Sequence, residues 1–125
     1  MRTVSAARVI AIVEDDASLR RSISNFLTSA GYETQTFEDA KAFLASPTRE
    51  QNGCVLLDLQ MPGMSGLQLL HQLRAEGSTV PLIVLTAHAE HRQRALESGA
   101  SAFLTKPFRA DALLAAIESA FTRAP

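Results

Sequence analysis

Short apolar runs punctuate the chain, and between them hydrophobic residues recur at helical spacing. Arg8 to Val13 is a near-continuous apolar stretch, the pattern of a strand buried on both faces. Leu19, Ile23, Phe26, Leu27 and Ala30 then mark one helical face, with Gly31 as its stop. Tyr32 to Phe37 is more polar, as at a sheet edge. Asp39 caps a short helix that turns Ala40, Phe43 and Leu44 inward and stops at Pro47, ahead of a loop over 48–52.

The third strand, Cys54 to Asp58, breaks at Pro62-Gly63. Ser65-Gly66-Leu67-Gln68 has the Ser-x-x-Gln form of a capping box and opens a helix with Leu67, Leu70 and Leu73 inward and Gly77 at its end. Pro81 to Thr86 is a fourth buried strand. The helix after it has a small apolar face (Ala89, Ala95, Leu96) and ends at Gly99, which predicts loose docking. Ala102 to Thr105 is the fifth strand; Lys106-Pro107 follows, then a helix that buries Leu113, Leu114, Ile117 and Phe121.

Five strands alternating with five helices predict an α/β fold, a doubly wound parallel sheet covered on both faces. One domain is expected over 8–122, with tails at 1–7 and 123–125. Composition agrees: 46% hydrophobic and 20% charged residues in 125 suit one ordinary core, and no apolar run approaches a membrane span. A net charge of −1 with interspersed signs gives no basic field, which argues against direct nucleic-acid or membrane binding. The first residues lack the apolar centre of a secretory signal, and Cys54, the sole cysteine, rules out an intramolecular disulfide. A reducing cytoplasm is the natural setting.

Ligands of doubly wound sheets gather at the carboxyl ends of the strands. Reading those ends collects Glu14, Asp15 and Asp16 after the first strand, Asp58 after the third, Thr86 after the fourth and Lys106 after the fifth. Converging carboxylates repel unless a cation sits among them, and an oxygen-rich, thiol-free set suits Mg²⁺ or Mn²⁺. With an ammonium and a hydroxyl alongside, the set points to phosphoryl chemistry in which a carboxylate oxygen attacks and an aspartyl phosphate results.

At this point the chain resembles the receiver domains of two-component response regulators. "VED" at Val13 to Asp15, "LLDLQMPGMSG" around Asp58, "VLTA" at Val84 to Ala87 and "LTKPF" at Leu104 to Phe108 carry the likeness. They are separated by 43 residues from Asp15 to Asp58, 28 on to Thr86 and 20 more to Lys106. Regulators of the FixJ type are closest in overall look. The resemblance implies a flavodoxin-like (CheY-like) sheet of order 2-1-3-4-5 and Asp58 as phosphoacceptor. It implies Mg²⁺ held by Glu14, Asp15, Asp58 and the backbone carbonyl of Gln60. Thr86 and Phe103 become a switch pair, Lys106 a partner of the phosphoryl group, and the Lys106-Pro107 peptide cis. Gln60 and His88, each two residues past a site residue, become the positions that tune dephosphorylation. A sensor histidine kinase or histidine phosphotransfer protein would supply the phosphoryl group. The signal would leave through the 89–121 face to an output domain or downstream protein, with homodimerisation on phosphorylation a further option. Such a domain promotes its own phosphorylation and dephosphorylation without being a turnover enzyme.

Two departures are visible: glutamate at 14 where the family often has aspartate, and phenylalanine at 103 where tyrosine is frequent. Several of these residues also have simpler readings. Asp58 alone would pass for a turn residue, Asp16 is better read as a helix cap than as a third ligand, and His88 and His91 are better read as exposed polar residues than as a metal pair. A dehalogenase-type phosphotransferase would carry a second acid where Gln60 stands. A flavin module would need a Ser/Thr/Gly loop where Glu14-Asp15-Asp16 lies. A degenerate, unphosphorylated receiver is disfavoured by the intact Asp15, Asp58, Thr86 and Lys106.

Overall fold

The fold is described for residues 8–123 of a computed structural model, so the expected tail at 1–7 and its counterpart at 124–125 lie outside the described residues. Strands β1 (Val9–Val13), β2 (Glu33–Phe37), β3 (Cys54–Asp58), β4 (Leu82–Thr86) and β5 (Ala102–Thr105) alternate with helices α1 (Ala17–Ser29), α2 (Ala40–Ala45), α3 (Gly66–Ala75), α4 (Arg92–Glu97) and α5 (Ala110–Arg123). All strand pairs are parallel, in the order β2-β1-β3-β4-β5.

Strand period explains the layers. β1, β3 and β4 are buried along their whole length, as strands covered on both faces must be. Their alternate side chains divide between two cores. Ala11, Val13, Val55, Leu57, Leu82 and Val84 face α2, α3 and α4, whereas Ile10, Ile12, Cys54, Leu56, Ile83 and Leu85 face α1 and α5. β2 is an edge strand with no fully buried residue: Glu33 and Thr36 are exposed and the other three are half-buried.

The caps fall where the side chains dictate. Asp16 accepts from the Leu19 N–H, Asp39 from the Ala42 N–H, and Ser65 and Gln68 form the reciprocal capping box. Details differ from the sequence pattern where helix phase decides. α3 buries Leu69, Leu70 and Leu73, leaving Leu67 half-buried; Ala30 is an exposed cap. The 48–52 loop contains a 3₁₀ turn at Arg49–Gln51, and a second at Ala89–His91 leads into α4. α5 runs through Arg123, one residue into the expected tail.

α4 is held mainly at one end. Ala95 is its buried residue, while Leu96 is 38% exposed. Beyond its C-terminus the Gly99 carbonyl accepts from Arg74 Nε and Nη2 at 3.2 and 2.8 Å, and Arg74 Nη1 reaches the Ser78 carbonyl at 3.2 Å. Gly99 has φ +110°, and a Cβ there would lie 3.0 Å from Arg74 Nε, so only glycine fits both the backbone and the guanidinium. A second tie closes the amino edge of the sheet: Tyr32 and Phe121 stack at 5.8 Å, with the Arg8 guanidinium 4.9 Å from the Tyr32 ring centre and 5.5 Å from that of Phe121.

Cys54 is fully buried in β3, and burial pushes its thiol from an ordinary 9.0 up to about 12. A reactive thiol is therefore not offered by the native fold. The thiol should resist a disulfide reagent at neutral pH and react only on unfolding. Because the folded state holds this proton more tightly, stability should fall as pH rises above about 9, by about 1.4 kcal/mol per pH unit from this group. Denaturant melts of wild type and Cys54→Ala across alkaline pH read the difference; parallel slopes would refute it.

Candidate functional site

Parallel register brings the strand ends level. Val13 pairs with Leu57, Asp58 with Leu85 and Thr86 with Thr105. The ladders then continue past the strands: the Glu14 N–H donates to the Phe37 carbonyl at 3.0 Å and the Lys106 N–H to the Thr86 carbonyl at 2.8 Å. Glu14, Asp58 and Lys106 are thus fixed by main chain at the carboxyl edge. The peptide between Lys106 and Pro107 is cis.

Lys106 Nζ donates to Glu14 Oε1 at 2.9 Å and to Asp58 Oδ2 at 3.3 Å. The remaining oxygens meet main-chain donors: Glu14 Oε2 accepts from the Asp16 N–H and Asp58 Oδ1 from the Gln60 N–H, both at 3.1 Å. Glu14, Asp58 and Thr86 are buried, at 3%, 6% and 0% exposure. Asp15 is exposed, yet one carboxylate oxygen from each of Glu14, Asp15 and Asp58 lies within 4.8 Å of the others. Thr86 Oγ1 accepts from the His88 N–H at 3.3 Å.

The electrostatics follow from three acids and one ammonium. Burial raises the Glu14 carboxyl above its ordinary value, and the Asp58 charge adds to this against the opposing pull of Lys106 and the Asp16 N–H. For Lys106, burial pulls the ammonium down, but the Glu14 bond and the Asp58 charge outweigh it and the group is held above its usual value. Lys106 therefore stays charged at neutral pH, and the acid cluster carries excess negative charge that a divalent cation would complement.

The remaining expected residues are placed as follows. Phe103 is buried, 5% exposed, beside the α4 core. Gln60 and His88 are exposed; His88 Nδ1 lies 3.5 Å from Glu90 Oε2, and its ring meets that of His91 at 6.0 Å. Three contributors escaped sequence reading. Arg20 Nη1 donates to the Glu14 carbonyl at 2.7 Å, Gly66 packs against the backbone of Asp58 and Leu59, and Arg92 lies over Phe103. Of these, only Gly66 left a trace: a glycine in the first turn of a helix costs helix propensity and so needs a steric reason.

Beside Lys106 a groove of about 670 Å³ opens between α1 and the start of α5, lined by Leu19, Ile23, Phe26, Pro107, Phe108 and Leu113. A smaller cleft of about 320 Å³ lies near the amino ends of the strands among Phe43, Arg49, Asn52, Leu73 and Val80, and contains none of the site residues.

Residues 10–118 match the family described as the response regulator receiver domain. The chain belongs to that family. As a receiver it is similar to the transcriptional regulatory protein FixJ of Bradyrhizobium diazoefficiens, with 40% identity over 92% of this chain and 57% of FixJ. It is also similar to the response regulator TodT of Pseudomonas putida, with 38% identity over 95% and 53%. The receiver spans about half the length of these curated relatives. Among solved structures, that of FixJ-N superposes with a TM-score of 0.86 at 32% identity, covering 100% of this chain and 98% of its own. The response regulator TrrA of Thermotoga maritima, solved in complex with Mg²⁺-BeF, gives 0.83 at 27% identity, covering 90% and 98%. The expected family, sheet order and signalling class of the domain are thereby established. No helix among the described residues is long and apolar enough to cross a membrane.

Proposed function

We propose that this receiver accepts a phosphoryl group on Asp58 from the phosphohistidine of a sensor kinase or phosphotransfer protein, or from a small donor such as acetyl phosphate. The observation that carries the reading is Lys106 Nζ in contact with both Asp58 and Glu14, with an oxygen of Asp15 close by. An Asp58 carboxylate oxygen attacks phosphorus. The bond to the donor nitrogen or oxygen breaks, and the donor leaves as neutral imidazole, once protonated, or as acetate. Lys106, already charged, then turns from the carboxylates to the new phosphoryl oxygens, and the Thr86 hydroxyl donates its O–H to one of them.

Glu14, Asp15, Asp58 and the Gln60 carbonyl would hold the metal, Mg²⁺ or in its place Mn²⁺, which supplies charge neutralisation for the phosphoryl oxygens. The donor set fits a hard cation in being all oxygen with surplus negative charge. The groove beside Lys106 accommodates the phosphodonor protein, since it is apolar and opens next to the acceptor. Phosphorylation adds charge at Asp58 and biases Thr86 and Phe103, so that the 89–121 face carries the signal to an output domain, a downstream protein or a second copy. Gln60 and His88, exposed beside the site, set how readily water reaches the phosphoryl group, and the setting is cytoplasmic. On this reading the domain speeds its own phosphorylation and hydrolysis but turns over no metabolite.

Intact-protein mass spectrometry tests the reading. Incubated with acetyl phosphate, the chain should gain one phosphoryl group with Mg²⁺ present and essentially none after chelation. Uptake that ignores the metal, or no uptake at all, would overturn it.

A further inference from the structure

The ring of Phe103 bears no hydroxyl, so no side-chain hydrogen bond fixes its position. It is held by packing beside Ala95 and Ala100 in the α4-side core, opposite Val84 in the β4–β5 register, and by one charged neighbour. The Arg92 guanidinium lies 5.8 Å from the ring centroid, and its Nη1 makes a long hydrogen bond of 3.5 Å to the Phe103 carbonyl. Arg92 is the first residue of α4 and six residues beyond Thr86. This helix buries only Ala95 and is tied to Arg74 just past its far end, so the Arg92 contact is a principal attachment of its first turn to β5.

We propose that Arg92 is a positioning residue for the switch: its guanidinium holds the Phe103 ring in the buried position and makes the first turn of α4 follow that ring. The proposal rests on the reading of Thr86 and Phe103 as the switch pair. An exposed cation over a ring supports a bias of about two- to five-fold between buried and displaced ring positions. Arg92→Gln removes that bias without touching the acid cluster, and Arg92→Lys keeps a cation on the same face.

The experiment is aromatic and methyl NMR of the full chain, with Phe103 assigned through Phe103→Leu. It is paired with a titration of beryllofluoride, a phosphoryl mimic, in the presence of Mg²⁺. In Arg92→Gln, cross-relaxation from the Phe103 ring to the Val84 and Ala95 methyls should weaken, with the displaced population rising about two- to five-fold. The beryllofluoride midpoint should move to higher concentration by up to the same factor, because the ligand must then draw on a rarer ring position. Arg92→Lys should restore both readings. Unchanged ring contacts in Arg92→Gln, or failure of lysine to restore them, overturn the proposal. A displaced ring with an unmoved titration instead overturns the switch reading of Phe103.

Discussion

Asp58→Asn abolishes phosphoryl uptake from acetyl phosphate and Mg²⁺, and at the same time makes the metal-free chain more stable by relieving the repulsion between two neighbouring carboxylates. The two effects share a cause. Glu14 and Asp58 both lean on one ammonium, at 2.9 and 3.3 Å, and both are buried at the edge of the sheet. The Glu14 carboxyl is raised chiefly by burial, with the Asp58 charge adding to it. Asparagine removes one of the two competing charges, yet Lys106 keeps its shorter bond to Glu14, so no ammonium is left unpaired. It also deletes the nucleophilic oxygen. Mass spectrometry reads the first effect and denaturant melts in chelator the second. Mg²⁺ should then stabilise the variant less than the wild type, because a ligand of the cation has been lost. Equal labelling of the variant would falsify Asp58 as the acceptor, and a less stable metal-free variant would show that the acids are not in competition.

Gly66→Ala is expected to be the most disruptive single methyl in the molecule. A Cβ at Gly66 would collide with the Asp58 carbonyl oxygen and would lie 2.7 Å from Leu59 Cα and 2.9 Å from the Asp58 carbonyl carbon. Every one of these atoms is main chain, so no side chain can swing aside. The Gly66 N–H also donates to the Leu59 carbonyl at 3.1 Å, a bond that any retreat of α3 would break. The cost should reach about 3 kcal/mol, at the upper end of overpacking penalties, and lower the midpoint of thermal unfolding by roughly 10 °C. Phosphoryl uptake should slow as well, because the retreating helix drags the 59–65 loop that donates the Gln60 N–H to Asp58. A melting curve that overlays the wild type would show that the start of α3 has room for a Cβ against the end of β3.

These expectations differ in how far the sequence announces them. Asp58, Thr86 and Lys106 are legible because each closes a short apolar run whose period places it at the carboxyl edge, and a parallel sheet aligns such ends without further information. Asp16, Asp39 and Ser65 are legible as caps because capping is local, decided within four residues. What escapes is pairing across helix phase. That Lys106 is closer to Glu14 than to Asp58, or that Arg92 covers Phe103, depends on rotations of a few degrees between elements far apart in sequence. Leu69 takes the core place expected of Leu67 for the same reason: the rotation of α3 about its own axis against the sheet, not its capping box, decides which leucine faces inward. Gly66 escapes differently, since its role lies in the atoms it lacks.

The stack of Phe121 on Tyr32, closed by Arg8, gives α5 a fulcrum. The helix is 14 residues long, about 21 Å, and its pinned end lies at the edge of the sheet opposite Asp58. A shift of about 1 Å at its free end, next to Pro107 and Phe108, corresponds to a tilt of only about 3° about that pin. α5 thus spans the sheet from that clasp to the edge where Lys106 and Asp58 meet. A movement of that size at Lys106 would tilt the helix face while leaving the clasp at the far edge where it is.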